Sequence, residues 1–268
     1  TGHDGGDQTL PDLNNRRVSQ TAYRAVFTSH PVFALRPDVS AQMTAHADAG
    51  TGTPPPDAFA PRDAVTLDDE HAEAMQALQN ARTAVNDINA DILRQRRAEN
   101  PQGWRDVLPE MVGVSTWVGY DLDGRSDISW QDSFRLRLLE KRDALTAYHR
   151  TIMDSGLVTT SDAMADIAAR LTEELTRTMA HIQTFDMGDA KADAEADSGD
   201  VIAAMNALTG APGRLISSRA LATEIHDIAR SLPDDDMALA ALVIAADIAT
   251  HGFGMGEVHL RINAAQIR

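Results

Sequence analysis

Three short strand-forming runs lie far apart in this chain, and most of what separates them reads as helix. The first is Val26-Phe27-Thr28-Ser29-His30-Pro31. The second covers 111–118 (Met-Val-Gly-Val-Ser-Thr-Trp-Val). The third covers 257–263 (Glu-Val-His-Leu-Arg-Ile-Asn) and alternates apolar with polar residues. Proline closes the first run by pushing the residue before it out of the helical region. Strands separated by long helical stretches point to a parallel sheet, or to a barrel with large insertions. The expected fold class is therefore mainly α with a few short parallel strands.

The intervening helices are marked by their ends and their periodicity. Pro37 and Asp38 open a helix over 37–48 that stops near Gly50. A Pro/Gly loop follows over 50–62. Thr66 and Asp69 form a capping box with Asp in place of Glu. Behind it, Met75, Leu78, Ala81, Val85, Ile88 and Ile92 recur at steps of three and four, which predicts one long packing helix over 67–98. Further helices are expected over 130–154, 161–185, 200–208, 217–231 and 236–250. Residues 1–14 read as disordered or loop, and 186–200 as an acidic linker. In 15–25, Val18, Ala22 and Ala25 could share a helix face. Residues 15–268 are taken as one unit.

Composition narrows the function. Aromatics make up only 4% of the 268 residues, so the core must be built from Ala, Leu, Ile, Val and Met, a mixture that favours helix. The net charge of −16 argues against nucleic acid and against anionic membrane surfaces as partners. There is no cysteine, which excludes disulfides, thiolate nucleophiles and cysteine metal sites. No apolar run approaches the length of a membrane span, and no signal peptide is visible, so a cytoplasmic location is the default expectation. Lysine occurs only as Lys141 and Lys191, leaving arginine, whose planar fork suits carboxylate and phosphate, as the main cation. The first residue is Thr and the last three continue a strand-like run, which predicts a fragment.

Each strand carries polar residues at or near its end. His30, fixed by Pro31, is a candidate acid–base group, although on its own a lone histidine there is more often structural or merely exposed. Asp121, Asp123 and Gly124 resemble half of a calcium loop, but Asp132 stands where the twelfth-position Glu is needed, so a hydrogen-bonded turn is the better reading. Gly252, Gly254 and Gly256 precede a strand, the wrong order for a dinucleotide fingerprint. His259, Arg261 and Asn263 share one face of the last run, where Arg261 could meet an anion. A solvent-facing edge strand fits that pattern too.

Taken together, the order and spacing of these segments resemble phosphoenolpyruvate carboxylase. Val26-Phe27-Thr28-Ser29-His30-Pro31 is similar to that family's V-L-T-A-H-P-T-E. Thr116-Trp117-Val118-Gly119-Tyr120-Asp121-Leu122-Asp123-Gly124 is similar to S-W-M-G-G-D-R-D-G-N-P. The stretch from Gly252 through Arg261 to Gln266 is similar to F-G-…-R-I-D-I-R-Q-E-S. The resemblance implies the first part of a helix-rich α/β barrel. It implies carboxylation of phosphoenolpyruvate with bicarbonate to oxaloacetate and phosphate. His30 would be catalytic, and Arg36, Asp121, Asp123, Gly124 and Arg261 substrate-binding. The metal would be Mg²⁺ or Mn²⁺, with ligands outside this chain, and the assembly a homo-oligomer, by resemblance a tetramer. The chain departs from the family at Val32, Phe33, Tyr120, Leu122, Arg125, Ser126, Asn263 and Ala265. Two other readings stay open: a degenerate, non-catalytic carboxylase-like protein that binds a small anion or a protein partner, and a helical scaffold with a chance match.

Overall fold

The structure, a computed structural model, describes residues 18–28, 35–50, 65–123, 128–186, 206 and 213–262. Its sheet has three parallel strands in chain order. Strand β1 (Tyr23–Phe27) pairs with β2 (Val112–Thr116) in the register Tyr23↔Val112 to Phe27↔Thr116. On the other side of β2 lies β3 (Glu257–Val258), through Ser115↔Glu257 and Thr116↔Val258. The crossover from β1 to β2 contains α1 (Pro37–Asp48), α2 (Leu67–Glu99) and a 3₁₀ turn at Trp104–Asp106. That from β2 to β3 contains α3 (Trp130–Asp154), α4 (Leu157–Thr160), α5 (Asp162–Asp186), α6 (Ser218–Ser231) and α7 (Asp235–His251). The chain is thus mainly helical around a small parallel sheet.

Local chemistry explains the helix starts. At α2, Thr66 Oγ1 accepts from the Asp69 amide and Asp69 Oδ2 accepts from the Thr66 amide, the reciprocal capping box. Ser129 and Asp132 form the same box at α3. Asp132, read in sequence as a failed calcium ligand, is therefore a helix cap. Helix α7 is apolar on nearly every side: Ala238, Ala241, Leu242, Ala245 and Ile248 are all fully buried. A helix of that kind must sit inside the fold, and α7 packs against α6, α2, α3 and β2. Each buried Leu or Ile contributes about 1.5–3 kcal/mol relative to exposure.

Two boundaries differ from the sequence reading. Tyr23–Phe27 is strand, beginning before Val26 and including part of the segment read as a possible helix face. Ala22 and Tyr23 both donate their amides to the Met111 carbonyl (2.9 and 3.0 Å), and sheet pairing outweighs a weak periodicity over one short stretch. The third strand is shorter than 257–263. It pairs at Glu257–Val258, breaks, and meets β2's continuation again only at the bridge Asp121↔Arg261. From Thr116 to Asp121 one chain advances five residues, while from Val258 to Arg261 the other advances three. The surplus is taken up by a turn in which the Tyr120 amide donates to the Trp117 carbonyl (2.8 Å).

Residues 1–14, the 51–62 part of the Pro/Gly loop and 187–200 of the acidic linker lie outside the described residues, as does nearly all of the helix expected over 200–208. Among the described residues no helix is long and apolar enough to cross a membrane.

Candidate functional site

The polar residues singled out on the second and third runs meet where β2 and β3 end. Arg261 Nη1 donates to Asp121 Oδ2 at 3.0 Å, and Nη2 lies 3.9 Å from Asp123 Oδ2. The same guanidinium lies over the Trp117 ring, 4.3 Å from its centroid, within cation–π range. Backbone bonds hold the two segments together: the Arg261 amide donates to the Tyr120 carbonyl (3.0 Å) and the Leu122 amide to the Arg261 carbonyl (2.8 Å). The turn that makes this possible needs Gly119. Its φ is +86°, and a Cβ there would fall 2.3 Å from Leu136 Cδ1.

The electrostatics set a limit on what this cluster can do. One guanidinium faces two carboxylates, so an anion reaching Arg261 also meets Asp121 and Asp123. Among the described residues Asp121 Oδ1 is buried without a hydrogen-bond partner, so they leave an unused acceptor beside the half-exposed cation. Anion recognition here needs further positive charge. Arg125, two residues beyond Asp123, lies outside the described residues, as do His30, Gly124 and Asn263. Arg36 is described, but its guanidinium forks onto Asp38 (Nε–Oδ1 3.1 Å, Nη2–Oδ2 2.6 Å) at the start of α1. That pairing holds the Asp38 carboxyl below its ordinary pKa. Among the described residues, no three His, Asp or Glu side chains are grouped so as to hold a metal ion.

Among the described residues, two buried polar clusters close to the sheet and its third strand escape the sequence reading. In the first, Arg82 donates through Nε and Nη2 to both oxygens of Asp247 (3.2 and 2.9 Å), and also to Tyr148 Oη (2.9 Å) and the Gly254 carbonyl (3.1 Å). Tyr148 Oη in turn donates to the Gly252 carbonyl (2.7 Å). His251 Nδ1 sits 2.7 Å from Asp247 Oδ1. Burial pushes the Asp247 carboxyl up, but the Arg82 charge and the His251 hydrogen bond outweigh it and hold the pKa well below the carboxylate range. Burial and the Asp247 charge raise the Tyr148 phenol against the opposing pull of Arg82.

In the second cluster, Glu140 accepts from Tyr120 Oη (2.7 Å) and Arg137 Nη1 (2.7 Å), with His71 Nε2 at 3.3 Å. Burial raises Glu140, yet His71, Arg137 and Tyr120 together bring it below its ordinary value. Burial and the neighbouring Glu140 charge push the Tyr120 phenol far up, so it remains a donor. The Asp247/His251 spacing of four residues on α7 and the Arg137/Glu140 spacing of three on α3 are the local traces of these clusters in the sequence. The remaining partners come from distant segments.

Between α3 and the β2–β3 pairing lies a cavity of about 570 Å³ whose wall includes Leu122, Trp130, Phe134, Arg137, His251 and Leu260. Tyr120, Leu122 and Leu260 alternate in sequence with Asp121 and Arg261. The cavity therefore occupies the face of the pairing opposite the Asp121–Arg261 ion pair.

Fold and site together define a mainly α protein whose polar chemistry gathers at one end of a three-stranded parallel sheet. In comparisons with protein-family models, curated proteins and solved structures, nothing matches the chain.

Proposed function

We propose that this chain is a divergent, phosphoenolpyruvate carboxylase-like segment that supplies part of an anion-binding active site at the end of an α/β barrel. One observation carries the reading. The three segments that resemble the family's motifs lie on or run on from neighbouring parallel strands, in chain order, and Arg261 of the third contacts Asp121 of the second. A chance match of scattered motifs has no reason to produce that contact.

The sheet edges support the barrel. Tyr23 and Val26 on β1, and Leu260 and Ile262 after β3, are large apolar residues exposed by 65%, 45%, 59% and 45%. Strands of that composition at both edges of a three-stranded sheet call for covering neighbours. In this reading phosphoenolpyruvate and bicarbonate give oxaloacetate and phosphate. His30 acts on the reacting centre and Arg261 contributes to the anion wall, with Asp121 orienting its guanidinium. A divalent ion would stabilise the enolate from ligands other than the described residues.

A second reading, a carboxylase-like protein that binds a small anion or a protein partner without carboxylating, is favoured by one observation. Arg261 is already neutralised by Asp121 and Asp123, and Leu122, where the family has arginine, faces an apolar cavity.

The test is oxaloacetate formation by the full reading frame from phosphoenolpyruvate, bicarbonate and Mg²⁺ or Mn²⁺, read by coupled reduction to malate. The first reading expects turnover, a loss of about 10²–10⁴ in kcat for His30→Ala, and a raised KM for phosphoenolpyruvate in Arg261→Ala. Absence of oxaloacetate with either metal overturns it. Saturable phosphoenolpyruvate binding without turnover would establish the second.

A further inference from the structure

We infer that a cleft between α3, the start of α6 and the turn leading into β3 binds a small monocarboxylate with an apolar body, its carboxylate held by Arg137 and Lys141. The site is independent of the carboxylase reading. It lies on the approach to β3, whereas the Asp121–Arg261 pair lies beyond that strand.

Charge starts the argument. The chain carries a net charge of −16, yet the wall of this cleft of about 440 Å³ holds Arg137 and Lys141 and, among the described residues, no carboxylate. The neighbouring cavity, by contrast, has Glu257 in its wall. Arg137 and Lys141 stand one turn apart on α3, a like-charged pair that is unfavourable unless an anion compensates it. Their carboxylate partners do not reach the cleft. Arg137 Nη1 donates to Glu140 and Lys141 Nζ to Glu174, whose side chains are 1% and 0% exposed. Glu174 Oε1 also accepts from Arg214 Nη2 (2.9 Å), so its charge is divided between two cations. Burial lowers the Lys141 pKa against the pull of Glu174, and the Arg214 and Arg137 charges lower it further. An anion beside Nζ would reverse that shift.

Both cations keep donors for a ligand. Arg137 Nε and Nη2, and two of the three Nζ protons of Lys141, make no hydrogen bond among the described residues. The two charged heads flank one short stretch of chain. The Arg137 guanidinium packs on Gly254, where a Cβ would fall 2.3 Å from Nη1, and Lys141 Nζ lies 5.9 Å from the centroid of the Phe253 ring. A carboxylate seated beside Phe253 meets an open edge of the guanidinium fork and the ammonium. Phe134, Leu138, Leu215, Ile216 and Phe253 make most of the remaining wall apolar, so the rest of the ligand is hydrocarbon. Each cation already shares a buried carboxylate, which matches a single negative charge. A phosphate dianion would bury unmatched charge against those walls.

3-Phenylpropionate is the probe, with 3-phenylpropan-1-ol lacking the carboxylate, propionate lacking the ring, and inorganic phosphate as a polar anion. Calorimetric titration of the folded chain should show saturable binding of phenylpropionate, and about tenfold or greater weakening for each of the other three. Ile216 lines the cleft but is 69% exposed, so substitution there leaves the core intact. Ile216→Glu, which sets a carboxylate at the cleft, should bind phenylpropionate about tenfold more weakly than Ile216→Gln, with both thermal transitions near the original temperature. Lysine occurs only at 141 and 191, so carbon-13 labelling at Cε gives two side-chain signals. The titration midpoint of the Lys141 signal should rise with phenylpropionate bound, a readout that needs no variant at a buried ion pair. No saturable binding of phenylpropionate up to about 10 mM, phosphate or phenylpropanol binding as tightly, equal affinities for the Glu and Gln variants, or an unmoved Lys141 midpoint would each overturn the proposal.

Discussion

Replacing Arg82 by Met tests whether the buried cluster beneath the sheet is held as a unit. Arg82 is 1% exposed and donates two hydrogen bonds to Asp247 and one each to Tyr148, the Gly254 carbonyl and the Met255 sulfur. Met keeps much of the aliphatic volume but none of the donors. Asp247 would then remain buried with only His251 against it, and the Gly254 carbonyl would lose a donor on the approach to β3. Breaking one side of a buried ion pair costs about 3–5 kcal/mol, mostly the penalty of the stranded charge. Against a typical total of about 5–15 kcal/mol this is a large fraction. Urea unfolding followed by far-ultraviolet circular dichroism should show the midpoint fall with an unchanged slope. Because the cost is the stranded charge, Arg82→Met with Asp247→Leu should recover at least about 2 kcal/mol of it, a coupling within the range of contacting residues. A loss below about 1 kcal/mol for Arg82→Met, or a double variant as unstable as the two single losses added, would refute this account.

Three further outcomes follow from the same structure. Asp247 and Glu140 both titrate below their ordinary range in the folded chain, so their stabilisation is complete above the unfolded carboxylate pKa of about 4 and is lost as pH falls through the folded values. Thermal unfolding should therefore show stability falling by up to about 3 kcal/mol per pH unit below pH 4, and a transition temperature equal at pH 3 and pH 6 would contradict it. Gly252→Ala places a side chain at φ 69°, ψ −151°, with its Cβ 3.4 Å from Ser218 Oγ, so it should cost about 1–3 kcal/mol and lower the transition temperature measured by calorimetry. Ser129→Ala removes one half of the α3 capping box and should cost about 1 kcal/mol in the same measurement, with Asp132→Ala giving a similar loss.

Helices were legible where their ends carry chemistry. Pro37 and Asp38 mark the start of α1, and the Thr66/Asp69 pair marks that of α2, because capping is settled within four residues. The segment around Tyr23 was not legible, because its strand state is conferred by Val112–Thr116, some ninety residues away, and not by its own pattern. Asp132 shows the opposite difficulty. Its neighbours Asp121 and Asp123 invite a loop-ligand interpretation, while its true role depends on Ser129 three residues before it. The Asp121–Arg261 contact could be anticipated only by treating three distant runs as one site. The Arg82–Asp247 pair could be anticipated only by half: Leu78 and Val85, four before and three after, put Arg82 on the apolar face of its helix, but nothing local names Asp247, on a distant helix, as its partner.

The ion pair and the cavity share one structural cause. Had β2 and β3 run on in register past Thr116 and Val258, Trp117 would have stood opposite His259 and Asp121 opposite Asn263. The two surplus residues on the β2 side instead fold into the turn at Trp117–Tyr120, and pairing resumes with Asp121 against Arg261. That shift sets the Trp117 ring beneath the Arg261 guanidinium on one face. On the other it carries Tyr120 inward to Glu140, so that Arg137 is tethered at the cavity wall. Gly119 permits the turn by its positive φ and Leu136 closes over it, so a side chain at position 119 would disturb both faces together. The irregular end of the sheet, and not its regular strands, is what gathers the polar groups of this chain.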